Sequence, residues 1–271
     1  MQHIVNTTIF NNNPSISVYD RGFTLGHGIF ETILVVNGKI PLLEYHWSRA
    51  NESAKKLYID INISYEDFKY QINRLIKVNN LMNDIASIRV TITHGEAARG
   101  IFPTSPTEPN IIYTASKIAA PTNSALTAVV VKTKRNENSI SSQVKSISYL
   151  DNILAKKEAI DAGYDEAILL NSKGLVSEGS ITNIFIIKNN KIYTPPLKSG
   201  ALPGITRKVL LEHNPNITEK DISLKFLLDA DSIFLTNSLM GIKPVSKINE
   251  LKKEIDPIIE DFYIQFFKNI F

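Results

Sequence analysis

The chain has no cysteine, one tryptophan and only 3 methionines in 271 residues. Without cysteine it has no disulfide framework, no thiolate zinc site and no cysteine nucleophile. Charge of either sign is also in short excess. Its 30 basic and 27 acidic residues leave a formal charge of +3, and the basic residues cluster only in short pairs such as Lys55-Lys56 and Lys252-Lys253. Neither a nucleic-acid partner nor a membrane surface is expected from that balance. Long apolar runs are missing as well. Stretches such as Ala128 to Val131 fall far short of the roughly 20 residues that span a bilayer. The opening MQHIVNTTIF lacks a basic segment followed by an apolar one, so no signal peptide is expected and the protein is read as cytoplasmic. Phosphate-loop, dinucleotide, nucleophile-elbow and H-E-x-x-H motifs are absent. The 5 histidines lack zinc-ligand spacing, so no metal site is expected.

What is present is an ordinary globular composition, 43% hydrophobic and 21% charged, with length enough for one large domain or two modest ones. Ile29 to Val36 is rich in β-formers, and Asn37-Gly38 predicts a hairpin turn into a strand over Ile40 to Leu43. Glu44 to Leu57 reads as a helix with Trp47, Ala50, Ala54 and Leu57 on one stripe, which places Arg49 on its polar side. A second helix is expected over Tyr65 to Val78, then strands over Ser87 to Thr93 and Asn110 to Ser116. Ala119 to Ser124 is the linker candidate. It predicts an N-terminal domain over 1–118 and a larger one over 125–271. In the latter, a strand over Ala125 to Lys134 precedes a helix over Tyr149 to Ala162, closed by Gly163. Hairpins are expected at Asn171 to Gly174 and at Asn189-Asn190, a helix over Ile205 to His213, and a buried strand over Ser232 to Thr236. From Asp256 and Pro257 onward, Ile258, Ile259, Phe262 and Phe266 fall on one face of a terminal helix expected to dock on the core. The fold class is α+β, in two lobes.

Four local features carry chemistry. Lys145, in SSQVKSISYLDNILAKKEA, would alone be a surface charge. Its neighbours Val144, Ile147, Tyr149 and Leu150 suggest an apolar setting, which favours the neutral amine that a covalent or basic lysine needs. Glu178, in GLVSEGSITNIFII, is either a solvated turn carboxylate or the partner of a cationic ring nitrogen. Gly204-Ile205-Thr206 opens a helix, where backbone N–H groups and a threonine hydroxyl form either a plain cap or a phosphate cup. Arg49 is either a surface ion pair or a phosphate countercharge.

The run DRGFTLGHGIFETILVVNGKIPLLEYHWSRANESAKKL resembles the amino-terminal signature of the fold-type-IV pyridoxal-phosphate enzymes. So do KSISYLDNILAKKEAIDAGYDEAILLNSKGLVSEGSITNIFIIKNNKIYTPP and LPGITRKVLLE, and the resemblance spans about residues 15 to 247. It implies a small α/β lobe, a larger barrel-like lobe, pyridoxal 5'-phosphate as cofactor and a homodimer. By position, Lys145 matches the Schiff-base lysine, Glu178 the pyridine-nitrogen carboxylate, and Arg49, Ile205, Thr206 and Ser238 after Asn237 the phosphate contacts. Tyr149 lies where some members direct a tyrosine at the cofactor hydroxyl.

Within that family, FLTNSLMGIKPV and the Arg99-Gly100 of THGEAARGIFP are most similar to 4-amino-4-deoxychorismate lyases. His94 stands where arginine is usual and His27 where aspartate is common. Phe30 replaces a tyrosine that D-amino-acid aminotransferases use for substrate. The resemblance implies conversion of 4-amino-4-deoxychorismate to 4-aminobenzoate and pyruvate for folate synthesis. Lys145 would then move the proton, Arg99 would pair with a substrate carboxylate, and Phe30 and Thr32 would line the substrate side. The alternatives are a branched-chain or D-amino-acid aminotransferase and a catalytically silent cofactor-binding protein.

Overall fold

The computed structural model describes residues 1–270, the side chains of the last two excepted, and the counts below refer to them. Contacts divide the chain into two compact units, residues 1–120 with 144–148, and residues 121–143 with 149–271.

In the first unit, β1 (His3–Val5), β2 (Thr8–Phe10), α1 (Arg21–Leu25), β3 (Gly28–Val36), α2 (Leu43–Lys56), α3 (Tyr65–Val78), β4 (Ile85–Thr93) and β5 (Asn110–Lys117) follow in order. The strands form one sheet, β2-β1-β5-β4-β3. β3 and β4 pair antiparallel along their whole length, from Gly28 opposite Thr93 to Val36 opposite Ile85. Alternation puts Ile29, Ile33 and Val35 on one face of β3, in the same buried cluster as Ala50, Ala54, Phe68, Ile72 and Leu75 of the two helices. Ser64 begins α3 with a reciprocal capping box to Asp67. Asn37 and Gly38 both adopt positive φ, as a tight turn requires, and Val36 bridges Lys39. The expected strand over Ile40 to Leu43 does not form. The chain enters α2 at Leu43 instead, and β3 takes β4 as its partner.

The second unit holds β6 (Leu126–Arg135), α4 (Ile140–Gln143), α5 (Leu150–Asp161), β7 (Glu166–Asn171), β8 (Val176–Gly179), β9 (Asn183–Lys188) and β10 (Lys191–Thr194). These are followed by α6 (Ile205–His213), β11 (Ile217–Glu219), α7 (Leu224–Leu228), β12 (Ser232–Asn237), β13 (Gly241–Ile248), β14 (Leu251–Lys252) and α8 (Ile258–Ile270). One curled sheet of nine strands runs β11-β10-β9-β12-β13-β6-β7-β8, with β14 beside β13. β6 and β7 are parallel, so their link must cross over, and α5 is that crossover helix. Phe185 and Phe234 stack at 4.7 Å in the core, and Phe262 of α8 lies 5.9 Å from Phe234. Ile259, Phe262 and Phe266 are buried, so α8 docks by its apolar face. Each such side chain contributes about 1.5–3 kcal/mol. No helix among the described residues is long and apolar enough to cross a membrane.

A division at 119–124 would assign Lys145 to the C-terminal part, but the contacts group Val144–Ser148 with the first unit. The reason lies in the backbone. Phe30 N donates to Lys145 O at 2.8 Å, Ile147 N donates to Gly28 O at 3.0 Å, and Ser146 bridges Ile29. This short segment lies along the edge of β3 that β4 leaves open.

Candidate active site

In the first unit, the pairing with β3 fixes the backbone of Lys145, whose Nζ lies 4.3 Å from the centre of the Phe30 ring. The Arg89 guanidinium lies 3.9 Å from the same ring. Thr32 is two residues beyond Phe30 on the same strand face, directly opposite Arg89. Leu150 is 65% exposed, so the apolar setting expected for Lys145 comes from Val144 and Phe30 rather than from the following helix.

On the other face of β3, Glu31 is buried and accepts from Arg49 Nε at 2.8 Å and from Arg49 Nη2 at 2.6 Å. His46 Nδ1 lies 2.7 Å from the same carboxylate. Arg49 and His46 are three residues apart on α2, one turn of the helix, which aims both at one strand position. Burial pushes the Glu31 carboxyl up. The Arg49 charge and the hydrogen bonds from His46 and Arg49 outweigh it and bring the carboxyl down to about 2. Burial lowers His46 from its ordinary value more than the Glu31 bond raises it, with Arg49 and Lys145 lowering it further. His46 is therefore neutral at pH 7 and donates its Nδ1 proton to Glu31. Arg49 was expected on the polar side of its helix. It is buried, because its partner Glu31 comes from the sheet beneath.

In the second unit, Glu178 is no solvated turn residue. It is 4% exposed on β8, with Oε1 3.1 Å from Arg135 Nε and Oε2 accepting from Leu202 N at 2.8 Å. Arg135 at the end of β6 also donates to Gly200 O at 3.2 Å, Asn152 Oδ1 at 3.1 Å and Ser142 O at 3.3 Å. Asn152 in turn donates to Ser180 O at 2.7 Å. This network holds Glu178 at a fixed angle.

α6 begins at Gly204, which supplies no side-chain cap, so its first N–H groups lack helical acceptors. A Cβ at Gly204 would collide with the Asn183 side-chain oxygen, so only glycine fits there. Thr206 Oγ1 is buried with no hydrogen-bond partner, and so is Thr236 Oγ1 on β12, against which α6 packs. The orphaned Thr206 hydroxyl, in the first turn of α6 beside uncapped helical N–H groups, suits an anion with several acceptor oxygens. Ile205 is buried and offers its backbone N–H there.

Asn237 ends β12, and its Oδ1 accepts from Leu239 N at 3.0 Å and Met240 N at 2.9 Å. Its side chain therefore shapes the β12–β13 turn, on which Ser238 sits. Tyr149 is the residue before the first turn of α5. Arg99 is exposed on the loop between β4 and β5. Among the described residues there is no group of three or more histidine, cysteine or acidic side chains placed to hold a metal.

Sequence reading missed Glu31, His46, Arg89, Arg135 and Thr236. Only Glu31 leaves a local trace, as a charge at an inward position between Ile29 and Ile33. The others are defined by partners distant in sequence.

A profile of the family described as amino-transferase class IV matches residues 28–248. A Methanocaldococcus jannaschii protein provisionally named as a branched-chain-amino-acid aminotransferase is 36% identical over 88% of this chain and 84% of its own. The aminodeoxychorismate lyase of Bacillus subtilis is 32% identical, covering 87% and 82%. A D-alanine aminotransferase of Staphylococcus epidermidis is 30% identical, covering 88% and 85%. Among solved structures, a Legionella pneumophila protein provisionally named 4-amino-4-deoxychorismate lyase superposes with a TM-score of 0.90 at 31% identity, over 96% of this chain and 97% of the other. The branched-chain amino acid aminotransferase of Escherichia coli superposes with a TM-score of 0.93 at 25% identity, over 99% and 94%.

Proposed function

The chain belongs to the class IV amino-transferase family, and from that premise we propose that it is an aminodeoxychorismate lyase, releasing 4-aminobenzoate and pyruvate from 4-amino-4-deoxychorismate. Its cofactor is pyridoxal 5'-phosphate. The observation that carries the cofactor assignment onto this chain's own residues is the buried, partnerless Thr206 Oγ1 at the uncapped start of α6. That hydroxyl, the Ile205 and Thr206 N–H groups and Ser238 hold the phosphate, with Arg49 as countercharge. When bound, the cofactor supplies a ring that withdraws the electron pair left by loss of the substrate proton.

The remaining work falls to the chain's own groups. Lys145 would hold the cofactor, and its free amine would take the proton from the substrate carbon bearing the amine. Glu178, oriented by Arg135 and Leu202 N, holds a proton on the ring nitrogen. Tyr149, before the first turn of α5, would hydrogen-bond the cofactor hydroxyl. Arg99 binds a substrate carboxylate, with Phe30 and Thr32 shaping the substrate side, and Arg89 beside Phe30 is a second cation for such a substrate. The preference for lyase chemistry rests on the segment Phe234–Val245 and on Arg99-Gly100. Borohydride reduction of the holoenzyme is expected to fix the cofactor on Lys145, and mapping of the label to another lysine would refute its role.

The deciding experiment is incubation with aminodeoxychorismate, with assay of 4-aminobenzoate and pyruvate, beside a panel of amino-acid and keto-acid pairs. Both products, with the cofactor spectrum restored after each cycle, are expected. The 36% and 30% identities to the branched-chain and D-alanine aminotransferases favour one second reading, transamination of such an amino acid. Stoichiometric conversion of the cofactor to its amine form by one of these, without 4-aminobenzoate, would establish that reading instead. The proposal includes a homodimer, which sedimentation of the holoenzyme tests.

A further inference from the structure

Residues 94–109 connect β4 to β5 and carry Arg99. Three side chains of the first unit grip this loop. Arg21 of α1 is buried, and its Nη1 donates to Gly100 O at 3.0 Å and its Nη2 to Ile101 O at 2.5 Å. Its backbone N donates to Gly95 O at 2.9 Å, so one residue binds both the stem and the tip. His27 Nε2 lies 2.8 Å from Leu57 O, and a carbonyl only accepts, so that nitrogen carries the proton. The lone pair of His27 Nδ1 then faces Arg21 Nε at 3.4 Å. His94, at the loop stem, packs against His27 with ring centres 4.2 Å apart and planes tilted by 43°, and its Nδ1 lies 2.8 Å from Thr107 Oγ1 at the far end of the loop. Phe102 meets the His94 ring and the Tyr58 ring edge-on.

We infer that Arg21, His27 and His94 form a proton-sensitive latch that holds the 94–109 loop and thereby positions Arg99. The consequence for substrate rests on the carboxylate-binding role proposed for Arg99. The cluster contains one fixed cation and two imidazoles, and among the described residues no carboxylate pairs with any of them. Asp20 is the nearest acid in the chain. Its oxygens are taken by Gly22 N, Thr93 Oγ1 and Asn110 Nδ2. The other ionisable groups on the surrounding segments are Glu96, Arg99 and Glu108 on the loop and Lys55, Lys56 and Tyr58 at the end of α2. A proton on His94 would place a second cation beside the guanidinium. Burial lowers His94 below its ordinary value, and His27 and Arg21 lower it further. The latched loop therefore prefers neutral His94, while an opened loop would titrate it near the ordinary 6.5 or so. Latching is complete above that pH and is lost as pH falls below it.

The test is amide hydrogen exchange on the holoenzyme at about pH 7.5 and about pH 5.5, either side of the ordinary histidine pKa, after correction for intrinsic rates. Protection over 96–106 is expected to fall at the lower pH, by at most about tenfold, while β4 is unchanged. His94→Asn keeps an acceptor for Thr107 but cannot titrate, so its loop protection is expected to be independent of pH. Arg21→Lys keeps the charge but not the two-carbonyl grip, and is expected to lose protection at both pH values. Should Arg21→Lys not fold, Thr107→Val removes only the His94 partner and is expected to give a smaller loss. Equal wild-type protection at the two pH values, or a wild-type pH response in His94→Asn, would overturn the latch. Michaelis constants measured in parallel separate the two readings. Loop opening with an unchanged KM would overturn the role of Arg99 and leave the latch standing.

Discussion

The charged cluster of the first unit and the hydroxyl cluster of the second handle burial in opposite ways. Glu31, His46 and Arg49 are paired through the Glu31 carboxylate without any ligand. Thr206 and Thr236 bury hydroxyls that no protein group meets. A buried charge is kept paired, because stranding one costs about 3–5 kcal/mol, a large share of a fold's net stability. An orphaned hydroxyl costs about 1–3 kcal/mol, which a chain can carry where a ligand recovers it. The first arrangement is complete as it stands, and the second includes Thr206, which we propose to be part of a phosphate receptor.

The comparison breaks first at Glu31. Glu31→Ala strands a buried guanidinium and is expected to lower unfolding free energy by about 3–5 kcal/mol with or without cofactor, read by denaturant melts. A pH titration of stability is the gentler form of that test. The Glu31 carboxyl at about 2, against an ordinary 4.5, adds stability that is complete above about 4.5 and is lost as pH falls towards 2. The loss expected is about 3 kcal/mol, from 1.36 kcal/mol per unit. Glu178→Gln tests the second unit, where a neutral amide keeps a hydrogen bond but removes the charge. Cofactor binding is expected to persist while turnover falls by about 100-fold or more, and unchanged turnover would reduce Glu178 to a structural residue. Thr206→Val is the mildest change and sharpens the contrast most. It is expected to leave the cofactor-free protein at least as stable, because an unsatisfied hydroxyl is removed. It should weaken cofactor binding by about 10–100-fold, the range for a hydrogen bond to a charged group. Loss of stability without loss of affinity would show that Thr206 is an ordinary core residue.

Much of this was legible in the chain itself. Tyr65–Val78 follows from uninterrupted periodicity and a clear N-cap, Ile205–His213 from the Pro203-Gly204 pair that precedes its apolar positions, and the Asn189-Asn190 turn from two residues that tolerate positive φ. The three-residue strands β1, β2 and β11 and the short α1 and α7 escaped, because so few residues establish no period. Asn37-Gly38 announced a turn but not which strand would flank β3, since β4 arrives only after two helices. The site shows the same divide. Motif order pointed to Lys145 and Glu178. That Arg49 is buried against a residue 18 positions away, or that Arg135 meets Glu178, is set by pairings no local pattern records.

The strip 145–147 along β3 has a consequence for synthesis as well as for chemistry. As the chain leaves the ribosome, the first sheet can assemble through residue 120, but Gly28 and Phe30 then lack the partners that residues 145 and 147 supply. Until residue 147 has emerged, β3 presents an open flank on which another nascent chain could pair. A fragment ending at Ala120 is therefore expected to aggregate, and one extended through Ser148 to do so less. Lys145, to which we assign the chemistry, is thus carried on the segment that completes the sheet.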